Sequence, residues 1–323
     1  MDPMSRLSLY DRVADETASV VIRRYSTSFG LAARLLAPGV RQHVENIYAL
    51  VRVADEIVDG GAAEAGLAPG AAGRVLDELE AETDRAVAEG YSANPVVHAF
   101  ARTARHSGFG AELTAPFFAS MRTDLDRTSY DESGFDVYVY GSAEVVGLMC
   151  LRAFLRDEPL AEATRDARYA DLTPGARALG SAFQKVNFLR DLAADFRDLG
   201  RSYFPGVSVD SFTEADKLRL VDDIDAELSV AAAAIPGIPS GSRRAVTLAH
   251  GLFAELSTRI RATPASVLID TRVRVPNPVK AKLAALAVAG RLPGPDAGGA
   301  RPDTAPTPPL PGGPDIDDPK ASA

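Results

Sequence analysis

The chain reads as all-α, and three observations say so. Apolar residues recur with helical spacing from about Leu9 to Ala289. The body is rich in Ala, Leu, Val, Arg and Glu, most of which favour helix. No run of alternating apolar and polar residues is bounded well enough to argue for a strand. A single domain of roughly ten helices is expected over 1–291, with no internal repeat.

Taken in order, the helical stretches Val75 to Glu89, Val137 to Leu155, Pro174 to Leu199 and Asp216 to Ala234 have no proline in their interiors. Breaks fall at Pro38-Gly39, Gly60-Gly61, Pro69-Gly70, Asn94-Pro95, Pro205-Gly206 and Pro236 to Gly241, where proline and glycine punctuate the pattern. From Leu292 the composition shifts. Nine of the 22 prolines lie in 292–323, and Leu292, Leu310 and Ile316 are the large apolar groups there. Such a segment buries too little surface to offset its ordering entropy, so a disordered tail is expected.

Composition narrows the function. At 46% hydrophobic the chain can fill a sizeable core. A net charge of −9 argues against a nucleic-acid partner. The lone Cys150 excludes an internal disulfide and fits a reducing, cytoplasmic setting. Residues Met1 to Glu16 lack the apolar core of a signal peptide. The best membrane candidate, Leu283 to Ala289, is far short of the roughly 18 apolar residues needed to span, so any membrane contact should be peripheral. His43, His98, His106 and His250 are scattered without metal-ligand spacing.

Two acidic motifs carry the chemistry. Asp55 and Asp59 are four residues apart, and so are Asp191 and Asp195. On a helix this spacing stacks each pair on one face, about 6 Å apart along the axis. Tyr48, Arg52, Asp55 and Asp59 share an arc of about 60° at helical spacing, beside the apolar Ile47, Leu50, Val51, Ala54, Ile57 and Val58. Gln184, Asn187, Asp191 and Asp195 share an arc of about 80°. Solvated faces usually mix signs, and this second stripe contains no Lys or Arg. Two facing helices of this kind would form a carboxylate cage, suited to Mg2+ shared with a diphosphate. A solvated face remains the plainer alternative.

Ahead of the first acidic helix, Tyr25-Ser26-Thr27-Ser28-Phe29 offers hydroxyls and backbone N–H groups for a diphosphate, or a plain helix cap. Arg52 can contact a phosphate in bidentate fashion. In the segment from about Phe135 to Phe154, Gly141, Ser142, Ala143 and Gly147 follow Tyr138 and Tyr140. Small side chains there leave room for a long prenyl chain or allow close helix packing.

These residues resemble the squalene/phytoene synthase family of head-to-head prenyl transferases, over about Tyr10 to Ala289. The match rests on Leu179-Gly180, Gln184, Asn187-Phe188-Leu189-Arg190-Asp191, Asp195, Arg201, Tyr203 and Pro205. A first block runs from Tyr25-Ser26-Thr27-Ser28-Phe29 through Arg52 to Asp55 and Asp59. Within the family the chain looks most like actinobacterial phytoene synthases. It departs from the pattern at Ser142-Ala143-Glu144, where Val-Ala-Gly is usual, and in lacking an aromatic residue near Ser266.

The resemblance implies an isoprenoid-synthase-type helical bundle around a central cavity. It implies that two geranylgeranyl diphosphates condense through prephytoene diphosphate to phytoene, with Mg2+ (or Mn2+) and without NADPH. Squalene or dehydrosqualene synthesis from farnesyl diphosphate is the alternative, and a non-catalytic scaffold a remote one. By position, Asp55, Asp59, Asn187, Asp191 and Asp195 would hold metal. Tyr48, Arg52 and Tyr138 would be catalytic. Tyr25, Ser26, Thr27, Ser28, Phe29, Gln184, Arg190, Arg201 and Tyr203 would bind substrate. An apolar product also implies peripheral membrane contact for its release.

Overall fold

Helix boundaries fall where local chemistry supplies caps. The side chain of Asn94 accepts from Val96 N and Val97 N ahead of Pro95, which starts α6. Thr213 and Asp216 satisfy each other's backbone N–H groups in a capping box at the start of α11. Gly90 and Gly108 close α5 and α6 at positive φ, which suits glycine.

The structure, a computed structural model, describes residues 5–291 apart from Thr27 and Pro69, with side chains at all of these except Ala63 and 193–199. The expected tail, Thr27 and the side chain of Asp195 therefore lie outside the described residues. Described helices are α1 (Arg6–Tyr25), α2 (Ser28–Ala33), α3 (Pro38–Val58), α4 (Gly61–Glu64), α5 (Ala71–Glu89), α6 (Pro95–Ser107) and α7 (Ala111–Asp126). They continue with α8 (Glu132–Val139), α9 (Val145–Arg156), α10 (Glu162–Leu199), α11 (Glu214–Ala234), α12 (Ser240–Ala262), α13 (Ala265–Leu268) and α14 (Asn277–Val288). Among the described residues there is no strand, only an isolated bridge between Ser129 and Ser202.

Two cores flank a central space. In the first, Leu50 and Ala54 of α3, Phe100 of α6, Phe117 and Phe118 of α7 and Met149 of α9 are all buried. The second gathers Val186 and Leu189 of α10, Val221 and Ile224 of α11 and Ile260 of α12 with an aromatic group around Tyr203. Helix α10 belongs to both halves, packing on α9 and on α11. It starts at Glu162, well ahead of the expected Pro174, which lies inside it. Proline there removes one backbone donor but does not end the helix, because packing on both sides holds it straight through. Next to it, Gly175 lets α10 come so close to α11 that a Cβ would land on Ala234.

Helices α8 and α9 are continuous through a π-turn, Tyr140–Glu144. By length and composition this Glu132–Arg156 helix is apolar enough to cross a bilayer, with a mean hydropathy of 1.3 over its best window. That corrects the choice of Leu283 to Ala289 as best candidate. The helix packs against α7 and α10.

The small residues in this helix answer to both sequence readings, position by position. Ser142, Ala143 and Gly147 line the central space. Gly141 instead faces α7, where an added Cβ would collide with Ser120 Oγ and the Pro116 carbonyl. Glu144 pairs with Arg177 of α10 at 2.5 Å, and that guanidinium lies 5.1 Å from the Tyr140 ring. Glu144 thus fastens the π-turn to α10.

Gly141→Ala should cost at least ~1–3 kcal/mol, because backbone on the other helix cannot give way as a flexible side chain would. Urea unfolding of wild type and variant measures this. Unchanged stability would mean that the two helices are not in such close contact.

Candidate active site

A cavity of about 420 Å³ occupies the centre of the bundle. Its walls come from α2 and α3 on one side, α9 and α10 on another, and α11 and α12 on a third. Most of the lining is apolar, including Phe29, Leu36, Val44, Phe154, Phe183 and Leu252. Cys150 is part of this wall, and burial pushes its thiol up to about 12, so it is protonated and inert at neutral pH.

The polar groups of the lining come mainly from three segments. Tyr25, Ser26 and Ser28 come from the junction of α1 and α2, and Gln184, Asn187 and Arg190 from α10. Arg272 and Arg274 come from the segment leading into α14, and Lys280 from its first turn. These last three were not singled out from sequence. The signal was there, in Arg272-Val273-Arg274 followed by Lys280 and Lys282, but nothing local shows that this segment folds back to the cavity.

On α3, Tyr48 and Val51 face the cavity. Tyr48 stacks on Phe29 at 5.6 Å, and burial pushes its hydroxyl up to about 12 against the pull of Arg52. Ser26 acts as the cap that the sequence offered. Its hydroxyl accepts from Phe29 N at 3.1 Å, capping α2, and it also lines the cavity. Arg52 is buried, pairs with Glu56, lies 4.0 Å from Asp55 and stands over the Tyr25 ring at 4.6 Å.

Arg201 knits the acidic end of α3 into the fold. One of its nitrogens donates to Asp59 at 3.0 Å and to the Tyr203 hydroxyl at 3.2 Å. The other donates to the carbonyls of Val58 and Asp124 at 3.0 and 2.7 Å, serving the last carbonyls of α3 and α7. Burial opposes the charge, but Tyr203, Asp124 and Asp59 outweigh it and raise the guanidinium's pKa. Tyr138 donates to Asp124 at 2.8 Å, and burial holds its hydroxyl well above its ordinary pKa. Tyr138, Arg201 and Tyr203 are all buried behind the cavity wall. Arg201, linked to Tyr138 through Asp124, braces the acidic end of α3; neither these three residues nor Asp55, Asp59 and Asp191 are among those lining the cavity. Asp124, which links Tyr138 to Arg201, carries no sequence motif and was missed.

The second acidic stripe differs from its sequence reading in one respect. It has no cation of its own period, yet Asp191 is clasped by two arginines. Arg190 holds it through both oxygens at 3.0 and 2.5 Å, and Arg272 reaches it at 2.9 Å. The charge balance that spacing seemed to leave to a metal is supplied here by a neighbour in sequence and by a residue 81 positions away.

Comparison with known proteins now gives these features a context. A family model described as squalene/phytoene synthase matches residues 22–278. The chain belongs to the squalene/phytoene synthase family. It is 28% identical over 302 residues to a 15-cis-phytoene synthase of Paracoccus sp., covering 86% of this chain and 93% of that one. It is 29% identical over 293 residues to a phytoene synthase of Mycobacterium tuberculosis, covering 84% and 89%. The crystal structure of a dehydrosqualene synthase superposes with a TM-score of 0.73 at 22% identity, covering 87% of this chain and 98% of that one.

The isoprenoid-synthase helical bundle is thereby established, and with it a catalytic protein of the prenyltransferase type. The chemistry common to the family is head-to-head condensation of prenyl diphosphates. Relatives at 28% to 32% identity come from bacteria and from plants, so a special affinity with the actinobacterial members does not emerge.

The histidines also need correction. His43, His106 and Asp157 offer ligand atoms within 4.8 Å of one another, a potential metal-coordinating cluster among the described residues. Their separation in sequence hid this, because three helices bring them together. The cluster involves the start of α3, whereas Asp55 and Asp59 are at its end.

Replacing Arg201 with methionine should destabilise the fold by ~3–5 kcal/mol, because Asp59 and the buried Asp124 lose their counter-charge together. Pairing it with Asp124→Asn should recover part of that loss in a double-mutant cycle. Additive effects in the cycle would show that the two groups do not interact.

Proposed function

We propose that this protein condenses two geranylgeranyl diphosphates through prephytoene diphosphate to phytoene. The observation that carries the reading is the shape of the cavity's chemistry. Its long walls are apolar, its polar lining gathers Gln184, Asn187, Arg190, Arg272, Arg274 and Lys280, and two of those arginines, Arg190 and Arg272, hold Asp191. A prenyl diphosphate has the same division, a hydrocarbon chain with a dense anionic head.

The chain's own residues divide the work. Arg190, Arg272, Arg274 and Lys280 offset the charge of the diphosphate. As the diphosphate engages Arg190 and Arg272, Asp191 is released from its present partners and becomes available as an oxygen ligand. Asp55, Asp59, Asn187, Asp191 and Asp195 form an all-oxygen donor set, the kind that suits Mg2+ and accepts Mn2+. Bound there, the metal supplies Lewis-acid assistance to the departing diphosphate. The apolar walls keep water from the allylic cation, and the ring of Tyr48 lies along its path with the hydroxyl protonated. No reductant enters the balance, so NADPH is not required.

A second reading keeps the same residues and shortens the substrate to farnesyl diphosphate, giving dehydrosqualene or squalene. A dehydrosqualene synthase has the same fold, with a superposition that covers 98% of that chain. Purified enzyme should be offered each diphosphate, with and without NADPH and with and without a chelator, and the hydrocarbons read by mass spectrometry. Phytoene from the longer substrate, lost on chelation and indifferent to NADPH, is the expected result. A product formed only from farnesyl diphosphate would establish the second reading instead.

Product release points to a cytoplasmic protein in peripheral membrane contact. Each methylene moved into water costs about 0.8 kcal/mol, so a long hydrocarbon needs an apolar acceptor to leave. The net charge of −9 gives no attraction to anionic lipid, which leaves apolar contact as the means of docking. Liposomes should therefore raise the multiple-turnover rate and leave the first turnover unchanged. Equal steady-state rates without lipid would remove the need for a membrane.

A further inference from the structure

His43, His106 and Asp157 meet where three helices converge. His43 is in the second turn of α3, His106 in the last turn of α6, and Asp157 is the C-cap of α9. The two imidazoles stack at 4.6 Å with their planes 16° apart, and a ring nitrogen of His106 is 3.0 Å from Asp157 Oδ1. Along α3, His43 is twelve residues from Asp55, about 18 Å at 1.5 Å per residue. The cluster is thus separate from the acidic end of α3.

We infer that this cluster is a second, independent metal site, for a borderline divalent ion of the zinc class. Two imidazole nitrogens and one carboxylate oxygen form the ligand set of a zinc site with one position left for water. Magnesium, which asks for oxygen ligands throughout, is a poor match. A tetrahedral ion with bonds of about 2.1 Å sets its ligand atoms about 3.4 Å apart. The cluster is close to this already, and the side chains of His106 and Asp157 are 44% and 42% exposed, so both can turn inward by the remaining distance.

The surroundings prepare the site. Nδ1 of His43 is 3.0 Å from Thr103 Oγ1, and Asn46 donates to that same hydroxyl at 3.1 Å. This contact orients the His43 ring, as outer-shell hydrogen bonds orient metal-binding histidines. The neighbouring cations are already engaged, Arg102 by Asp15 and Asp11, and Arg105 by the carbonyls of Val87 and Ala88. A polar cavity of about 320 Å³ is lined by both imidazoles. An ion held here would fasten α3, α6 and α9 to one another.

Metal content decides the matter. The full chain, stripped with a chelator, is dialysed against Zn2+ in excess Mg2+ so that the all-oxygen site is occupied. Wild type should retain about one equivalent more zinc than His106→Gln or Asp157→Asn, each folded by circular dichroism. Zinc affinity should fall by at least ~10-fold in each variant. Cobalt in wild type should give a visible absorption of tetrahedral type that both variants lack, and zinc should raise the melting temperature of wild type alone. Equal zinc content in all three proteins, with no difference in the cobalt spectrum, would reduce the cluster to an ordinary His106–Asp157 ion pair and overturn the inference.

Discussion

Arg201 touches the ends of two helices and Asp59 at once, and the acidic end of α3 is built around it. A carboxylate repeated at i and i+4 on one helix is repulsive by itself. Asp59 is tolerated at the end of α3 because a buried guanidinium stands against it, held by two carbonyls and Tyr203. Asp124 and Tyr138 extend the same network into α7 and α8. Each of these groups would be costly to bury alone and is satisfied in company.

The other acidic helix solves the same problem with Arg190 and Arg272. The two solutions differ in depth. The Arg201 side chain is only 6% exposed, so its contacts are fixed by the packing around it. Arg190 and Arg272 line the cavity and are 20% and 21% exposed, so their hold on Asp191 can be exchanged for an anionic ligand. Asp59 is therefore built in, whereas Asp191 is held by charges that a diphosphate would also attract.

Close helix contacts make the cavity possible. Gly147 and Gly180 bring α9, α10 and the π-turn so near that added Cβ atoms would fall 2.9 Å from the Ala176 carbonyl and 2.8 Å from the Ala143 carbonyl. The π-turn re-aims its residues within a continuous helix, sending Gly141 to α7 and Ser142 and Ala143 to the cavity. An unbroken α-helix would have kept one register along that face.

The all-α class was legible in the sequence because apolar spacing is periodic, and a helix repeats its face every three or four residues whatever surrounds it. Ser26 as a cap and the cavity positions of Tyr48, Gln184 and Asn187 belong to the same category, since each follows from local spacing. What sequence could not show is contact between segments far apart. Arg272 against Asp191, Asp124 between Tyr138 and Arg201, and His43 beside His106 and Asp157 have no shared period and no fixed separation. Likewise, α10 continues through Pro174 because of helices packed on both of its sides. Local spacing settled which residues share a face, while only the packing of helices decided which faces meet, and electrostatic pairing acts through space without regard to position in the chain.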